Sequence, residues 1–386
     1  MKKGKKLQIL VSILVLCMYL NIENNVSLML SGIAEAFPNA SVIQVQKVYS
    51  LIFLVETFTN FIVGWFASKL SKRKIVMLFQ GGTVLGGLLA YFFGKTIAML
   101  YVSSVVIGFS AAIISTISKA IVMENFDEEE TPKVFAAQQI SQSLGTMMLQ
   151  IWGGYMIVKE WRNGYLTFLF GLVSLFAAVF MLPEGPVENM AKEEGAKSKL
   201  WTKYLIHDVA ITGLFLMVFM TYNSNLSFLV AEKGFGNSTV TGYLAAVVTA
   251  LNFIAAILLS RTLKVLGKWV FLASGLCLIV GFTIIMLAQN AIWVLVGAVI
   301  TGFAQGTFTP SVFVHLSKHI TPNTNTASNA MVQAAGNVGL YIYPYVITAP
   351  SALIGNGVSS RFLVAIILLA VICVGEFVFM KNQKDF

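Results

Sequence analysis

Charge is what this chain has least of. Asp, Glu, Lys and Arg make up 11% of its 386 residues, against about 25% in a soluble domain. Hydrophobic residues make up 57%, and the mean hydropathy is +0.80. So little polar surface cannot cover a globular core, which excludes a soluble enzyme, a disordered chain and a nucleic-acid binder. Cysteine is also scarce. Cys17, Cys277 and Cys373 each lie inside an apolar run, so they form neither a disulfide framework nor a metal-ligand spacing. The histidines, His207, His315 and His319, fall scattered near expected helix ends. No G-x-x-x-x-G-K-S loop is found, so ATP is not the expected energy source. A cleavable leader is not expected either. Lys2, Lys3, Lys5 and Lys6 precede an apolar run, but that run is too long and lacks a small-residue cleavage site.

What the chain does have is long apolar runs, and a membrane span needs about 20 apolar residues. Twelve spans are expected, near 8–34, 42–67, 74–94, 97–123, 133–158, 163–182, 204–231, 238–262, 268–289, 291–316, 326–349 and 358–380. The fold class is therefore an all-α membrane protein. Most connections are very short, so consecutive spans are expected to be antiparallel neighbours. The longest connection is polar and falls at mid-chain. It divides the sequence into an N-terminal six-helix bundle (1–182), a linker (183–203) and a C-terminal six-helix bundle (204–386).

An even span count places both termini on one side. With that side cytoplasmic, 19 of the 26 Lys and Arg face inward and six face outward. Such a bias orients a multi-pass protein in the cell membrane with both termini in the cytoplasm. The outward six include Arg162 and Arg361, each opening the last span of its half. The halves echo each other in other ways. Asn25 and Ser27 recur as Asn225 and Ser227 at an offset of 200, and Phe37 and Asn39 as Phe235 and Asn237 at 198. Gln139 and Gly145 recur as Gln333 and Gly339 at 194. Two pseudo-symmetric bundles are a common transporter plan.

The segment Gly64-Trp65-Phe66-Ala67-Ser68-Lys69-Leu70-Ser71-Lys72-Arg73-Lys74 joins the second and third spans. It resembles the loop signature of the major facilitator superfamily, G-x-L-A-D-R-x-G-R-R. Gly64, Ala67, Lys69, Lys72 and Arg73 fit that frame, while Ser68 replaces the Asp and Ser71 the Gly. A weaker echo runs from Ser260 to Lys268, and Trp161-Arg162 is typical of the family as well. The resemblance implies the major facilitator fold and secondary transport. It also implies a cytoplasmic gate loop at Gly64, Ser68, Lys69, Lys72 and Arg73, in which Ser68 brings no charge but could cap a helix. Gly64 is expected to permit close helix packing. A merely basic, topogenic loop is the plain alternative. The family's proton-antiporter frame, G-x-x-x-G-P-x-x-G-G, is met by Gly145, Gly153 and Gly154 but not by Leu149 and Gln150.

An ionisable group at the bilayer centre costs about 2.5–3.5 kcal/mol, so each one is a functional candidate. Glu23 sits among Asn21, Asn24 and Asn25, roughly 24 Å along the first span. It is the first candidate for proton coupling, and Glu56 on the second span is the other. The plain alternative for both is a carboxyl satisfied by its polar neighbours. Lys119 either anchors a substrate carboxylate or snorkels to the surface. Gln138, Gln142, Thr146 and Gln150 recur every fourth residue and make one polar stripe. Together with Asn25, Tyr222, Asn225, Asn252, Gln333, Asn337 and Tyr341 they form the candidate substrate-binding set. Interhelical hydrogen bonding is the plain alternative for that set. Pro310 and Pro344 are expected to kink their helices. Glu376 and Lys318 are expected only to snorkel, and the acidic run Asp127 to Glu130 to be solvated.

The expected function is proton-coupled secondary transport of a small polar organic solute, a carboxylate being one candidate, by alternating access. Export of lipophilic or cationic drugs is the alternative within transport. A membrane-embedded enzyme or a non-transporting sensor lies outside it. An enzyme needs His, Asp or Ser gathered at one membrane depth, and the sequence gives no sign of that. The expected partners are the solute, protons and the lipid bilayer. No cofactor, metal or nucleic acid is expected, and the chain is expected to work as a monomer.

Overall fold

The computed structural model describes residues 3–127, 129–184, 202–319 and 325–381. The chain divides into two compact units, Met1–Lys192 and Glu193–Phe386. The described residues are helices and connecting turns, with no strand among them.

In the first unit α1 (Lys3–Tyr19) is followed by two short helices, α2 (Asn25–Leu28) and α3 (Leu30–Ala36). The expected single span at 8–34 is thus broken. Asn21 takes φ 70°, the one positive-φ residue besides glycine among the described residues, and Asn tolerates the left-handed region better than most. A 3-10 turn, Ile22–Asn24, follows it. α4 (Val42–Asn60) starts at a capping box in which Ser41 and Gln44 satisfy each other's backbone amides. α5 (Val63–Ala67), α6 (Lys72–Phe93), α7 (Ile97–Asn125) and α8 (Thr131–Ile157) come next. A 3-10 stretch, Trp161–Phe170, leads into α9 (Gly171–Met181). α6 and α4 pack on α7, and α1 packs on α8 and α9. Ile9, Ile13, Ile75, Val76, Ile113 and Ile117 are buried together at the centre of this packing.

The second unit comprises α10 (Lys203–Glu232), α11 (Ser238–Leu266), α12 (Val270–Met286), α13 (Ala291–His319), α14 (Asn325–Tyr343), α15 (Ala349–Ser351) and α16 (Val358–Lys381). Its pairings repeat those of the first unit. α11 and α12 pack on α13, α10 packs on α14, and α12 packs on α16. The repeat reaches single residues. A Cβ added to Gly145 would lie 2.0 Å from the Met18 carbonyl oxygen, and one added to Gly339 2.1 Å from the Gly213 carbonyl oxygen. Each glycine lets two backbones meet, as small residues do between membrane helices.

The two prolines act differently. Pro310 lies inside α13 without ending it, whereas Pro344 opens a π-helical turn, Pro344–Thr348, between α14 and α15. A helix with proline in its interior loses an i→i−4 bond, and only the second site answers with a change of helix type.

Eight described stretches are long and apolar enough to cross a membrane. They are Gly4–Leu28, Lys72–Phe93, Ile97–Asn125, Trp161–Met181, Lys203–Glu232, Ser238–Met286, Ala291–His319 and Val358–Lys381. Ser238–Met286 is 49 residues long and takes in both α11 and α12. α4, α8 and α14 occupy further expected spans but carry more polar side chains, among them Gln46, Glu56, Gln138 and Asn337. Large apolar side chains such as Phe92, Phe176, Phe180, Val371 and Val374 are exposed. A surface like that needs lipid around it. This is a multi-pass, all-α membrane protein.

Candidate functional site

The break after α1 gathers polar side chains around Glu23. Glu23 is 5% exposed, and its Oε2 accepts no hydrogen bond among the described residues. Beside it, the fully buried Tyr49 donates its hydroxyl to Asn24 Oδ1 at 2.6 Å. Glu56, half-buried on α4, lies within electrostatic range of both Glu23 and Tyr49. The two candidate carboxyls therefore share one locality, to which Tyr49 also belongs. Irregular backbone at membrane depth is tolerated only where protein or a water-lined cavity receives its polar groups. Here Thr146 Oγ1 reaches the Leu20 carbonyl at 3.4 Å.

Asn25 has partners on other elements. Its Nδ2 donates to the Leu149 carbonyl at 2.9 Å and to Thr167 Oγ1 at 3.2 Å. It ties the broken helix to α8 and the 3-10 stretch. Gly153 leaves it room, since a Cβ there would lie 2.8 Å from Asn25 Nδ2. Gly145 and Gly153 of the antiporter frame thus serve packing in this chain. Of the polar stripe on α8, Gln138 is buried with Nε2 3.4 Å from the Ser118 carbonyl, and Thr146 also donates to the Gln142 carbonyl at 2.8 Å. Gln142 is half-buried. Lys119 is exposed on α7 and has no ion pair among the described residues.

In the second unit Asn225 is fully buried. It donates to the Thr221 carbonyl at 2.8 Å and to the Tyr343 hydroxyl, and its Oδ1 accepts from Arg361 Nη1 at 2.8 Å. Arg361 is 5% exposed. Arg361, which opens the last span, is a buried strut, held by Asn225 and lying over the Phe228 ring. Arg162, its sequence counterpart, stays half-exposed beside Glu160. Tyr222 is completely buried, and its hydroxyl donates to the Leu244 carbonyl at 2.9 Å. Asn252 is half-buried and donates to Gln305 Oε1 at 2.8 Å. On α14, Gln333 is exposed while Asn337 and Tyr341 are half-buried.

The histidines are not scattered. His207, Asp208, His315 and Glu376 meet in one buried cluster. Glu376 does not snorkel: it is 4% exposed and accepts from His207. Sequence reading misses this cluster because its members come from three helices far apart in the chain. The one local signal is an Asp beside a His near the start of an apolar span. The acidic loop is exposed at Asp127 and Glu129, and it also forms ion pairs. Lys6 donates to Asp127 at 3.0 Å and to Glu130 at 2.7 Å, and that cation holds the Asp127 carboxyl below the usual carboxylate range. Glu128 lies outside the described residues.

Residues 11–344 match the model of the Major Facilitator Superfamily. The chain belongs to that superfamily. This major facilitator is a secondary transporter of a small solute. No curated protein is a significant sequence match. Solved structures similar to it include a nucleoside transporter, NupG, at 16% identity and TM-score 0.75, covering 99% of this chain and 100% of that one. A D-xylose-proton symporter is 14% identical, with TM-score 0.72 and coverage of 98% and 99%. A POT family transporter in complex with a thioalcohol-conjugated peptide is 12% identical, with TM-score 0.77 and coverage of 98% and 96%.

The superfamily's loop signature has a definite anatomy in this facilitator. Ser68 stands at the C-terminal cap of α5, where its hydroxyl donates to the Trp65 carbonyl at 2.8 Å. Lys72, 4% exposed, pairs with Glu124 near the end of α7, and Arg73 donates to the Val179 carbonyl on α9. The basic pair therefore ties the start of α6 to two other helix ends. Lys69 is exposed. Gly64 does not serve close packing, since nothing lies within 4 Å of the place its Cβ would take.

Proposed function

We propose that this protein is a proton-coupled transporter of a small polar organic solute, working by alternating access, with Glu23 as the proton carrier. The observation that carries this reading is the Glu23 carboxyl, buried at a break in a membrane helix with one oxygen unpartnered. A carboxylate in that place must be neutralised, and a proton is the smallest group that does it reversibly. Glu56 is its neighbour, and two carboxyls in one locality resist being charged together. A proton on one of them therefore bears on the other. Tyr49 and Asn24 supply a hydrogen-bonded pair alongside.

The polar-solute class is supported by the amides and hydroxyls on α8 and α14, and by proteins of the same fold: a nucleoside transporter, a D-xylose-proton symporter and a transporter in complex with a thioalcohol-conjugated peptide. Lys119, exposed and without an ion pair among the described residues, suits an anionic group on the solute. The full topology belongs to the same reading. α4, α8 and α14 complete twelve spans, arranged as two six-helix bundles at 1–182 and 204–386, and both termini face the cytoplasm.

The test begins with a thermal-shift screen of purified protein against polar metabolites, since a solute that binds the native state raises its stability. The solute so found is then offered to proteoliposomes under a pH gradient or a sodium gradient. Accumulation driven by the pH gradient alone is the expected result. Accumulation driven by sodium, or none above equilibrium under either gradient, would sink proton coupling.

A further inference from the structure

The second unit buries a cluster to which the transport reading assigns no role. His207 and Asp208 stand near the start of α10, His315 near the end of α13 and Glu376 near the end of α16. Asp208 and His315 are completely buried, and the His207 side chain is 9% exposed. Asp208 faces two imidazoles. Its Oδ1 is 3.0 Å from His207 Nδ1 and 2.8 Å from His315 Nδ1, and its Oδ2 is 3.0 Å from His315 Nδ1. The second nitrogen of His207, Nε2, is 2.8 Å from Glu376 Oε2.

Two carboxylates lie in this cluster with no Lys or Arg partner among the described residues. Buried charge of that kind has to be balanced. His207 also sets both ring nitrogens against carboxylate oxygens, and a neutral imidazole has only one N–H, so one of those contacts calls for an added proton or a cation. One divalent cation meets both needs. A ligand atom from each of His207, Asp208 and His315 lies within 4.8 Å of the others, a spread that one ion closes by drawing the side chains in to bond lengths of about 2.0–2.2 Å. With Nδ1 on the ion, Nε2–H of His207 is left to donate to Glu376, which fixes tautomer and ring orientation as carboxylate–histidine–metal groupings do.

Packing holds the rings in place. His207 stacks on Phe379 with centroids 3.9 Å apart and planes 2° apart. Phe271 meets His315 edge-on at 5.7 Å. Ligands locked this way make a preorganised site.

We propose that His207, Asp208 and His315 bind one divalent transition-metal ion of the zinc class, with Glu376 as a positioning residue. Two imidazoles and a carboxylate suit zinc and its neighbours, whereas magnesium and calcium prefer oxygen alone. Three protein ligands leave a fourth place for water. The ion joins α10 to α13 and, through Glu376, to α16.

The test uses tag-free, chelator-treated protein in detergent, titrated with Co²⁺ and then with Zn²⁺. The readouts are bound metal per chain, visible Co²⁺ absorption and unfolding temperature, none of which depends on transport. One equivalent of Co²⁺ displaced by Zn²⁺, with a Zn²⁺-dependent rise in unfolding temperature, is expected. Asp208→Asn and His315→Gln should lose both the absorption and the rise. Glu376→Gln should keep the stoichiometry and weaken binding about 10–100-fold. The wild-type titration stands whether or not a variant folds. If folded wild type binds neither metal in stoichiometric amount, or both ligand variants bind as well as wild type, the proposal is wrong and protons balance the cluster instead.

Discussion

Asn25 and Asn225 occupy equivalent places in the two halves, and both are engaged inside their own unit. Each donates toward the helix that follows four spans later: Asn25 to Leu149, Asn225 to Tyr343, residues 194 apart. The sequence echo marks them as equivalent but cannot say whether a buried amide serves a substrate or a neighbouring helix. Arg361 illustrates the same difficulty more sharply. By position it is an outward-side charge that opens a span, and it is buried where Asn225 and Phe228 receive it. Arg361→Gln should lower the unfolding free energy by about 2 kcal/mol, the scale of a hydrogen bond to a charged group. Arg361→Lys should not restore it, because a point charge cannot reproduce the planar donor. Denaturant melts of the three proteins in one detergent check this. Lys119 gives a second prediction. If it anchors an anionic solute, Lys119→Gln should weaken solute binding far more than it reduces folded protein, while normal binding by Lys119→Gln would remove it from the site.

Helix breaks and close helix contacts were legible to different degrees. The spans on α6, α7, α10 and α13 follow from their apolar length, and the glycine pair 145 and 339 follows from the repeat. The break after α1 did not, since Asn21, Asn24 and Asn25 look like polar decoration on a long span until the left-handed turn at Asn21 is seen. Propensity for αL singles out Asn as tolerant without requiring it to break a helix. Glycines separate in the same way. Gly145→Val should force the Met18 backbone away and cost about 1–3 kcal/mol, as overpacking does. Gly64→Ala meets nothing within 4 Å and should change stability by no more than about 0.5 kcal/mol. Equal losses for both variants in thermal melts would contradict this account of the contacts.

For the molecule as a whole, the placement of charge carries the topology. The 19-to-6 bias predicts that cysteines placed by Lys3→Cys and Glu193→Cys are labelled only from the cytoplasm, and that Asn39→Cys is labelled from outside. Outside labelling at residue 193 would contradict the twelve-span arrangement with both termini inside. Composition and periodicity made the membrane class and the repeated halves readable. The clusters that give each unit its chemistry stayed hidden because they join residues from different helices, as Glu23 with Tyr49 and Asp208 with His315. The central claim is that Glu23 carries the coupling proton, and the most direct measurement compares wild type with Glu23→Gln in proteoliposomes under an imposed pH gradient. Glu23→Gln mimics the neutral acid, so it should exchange solute at a rate close to wild type yet fail to accumulate it uphill. Uphill, proton-driven accumulation by Glu23→Gln would contradict the account.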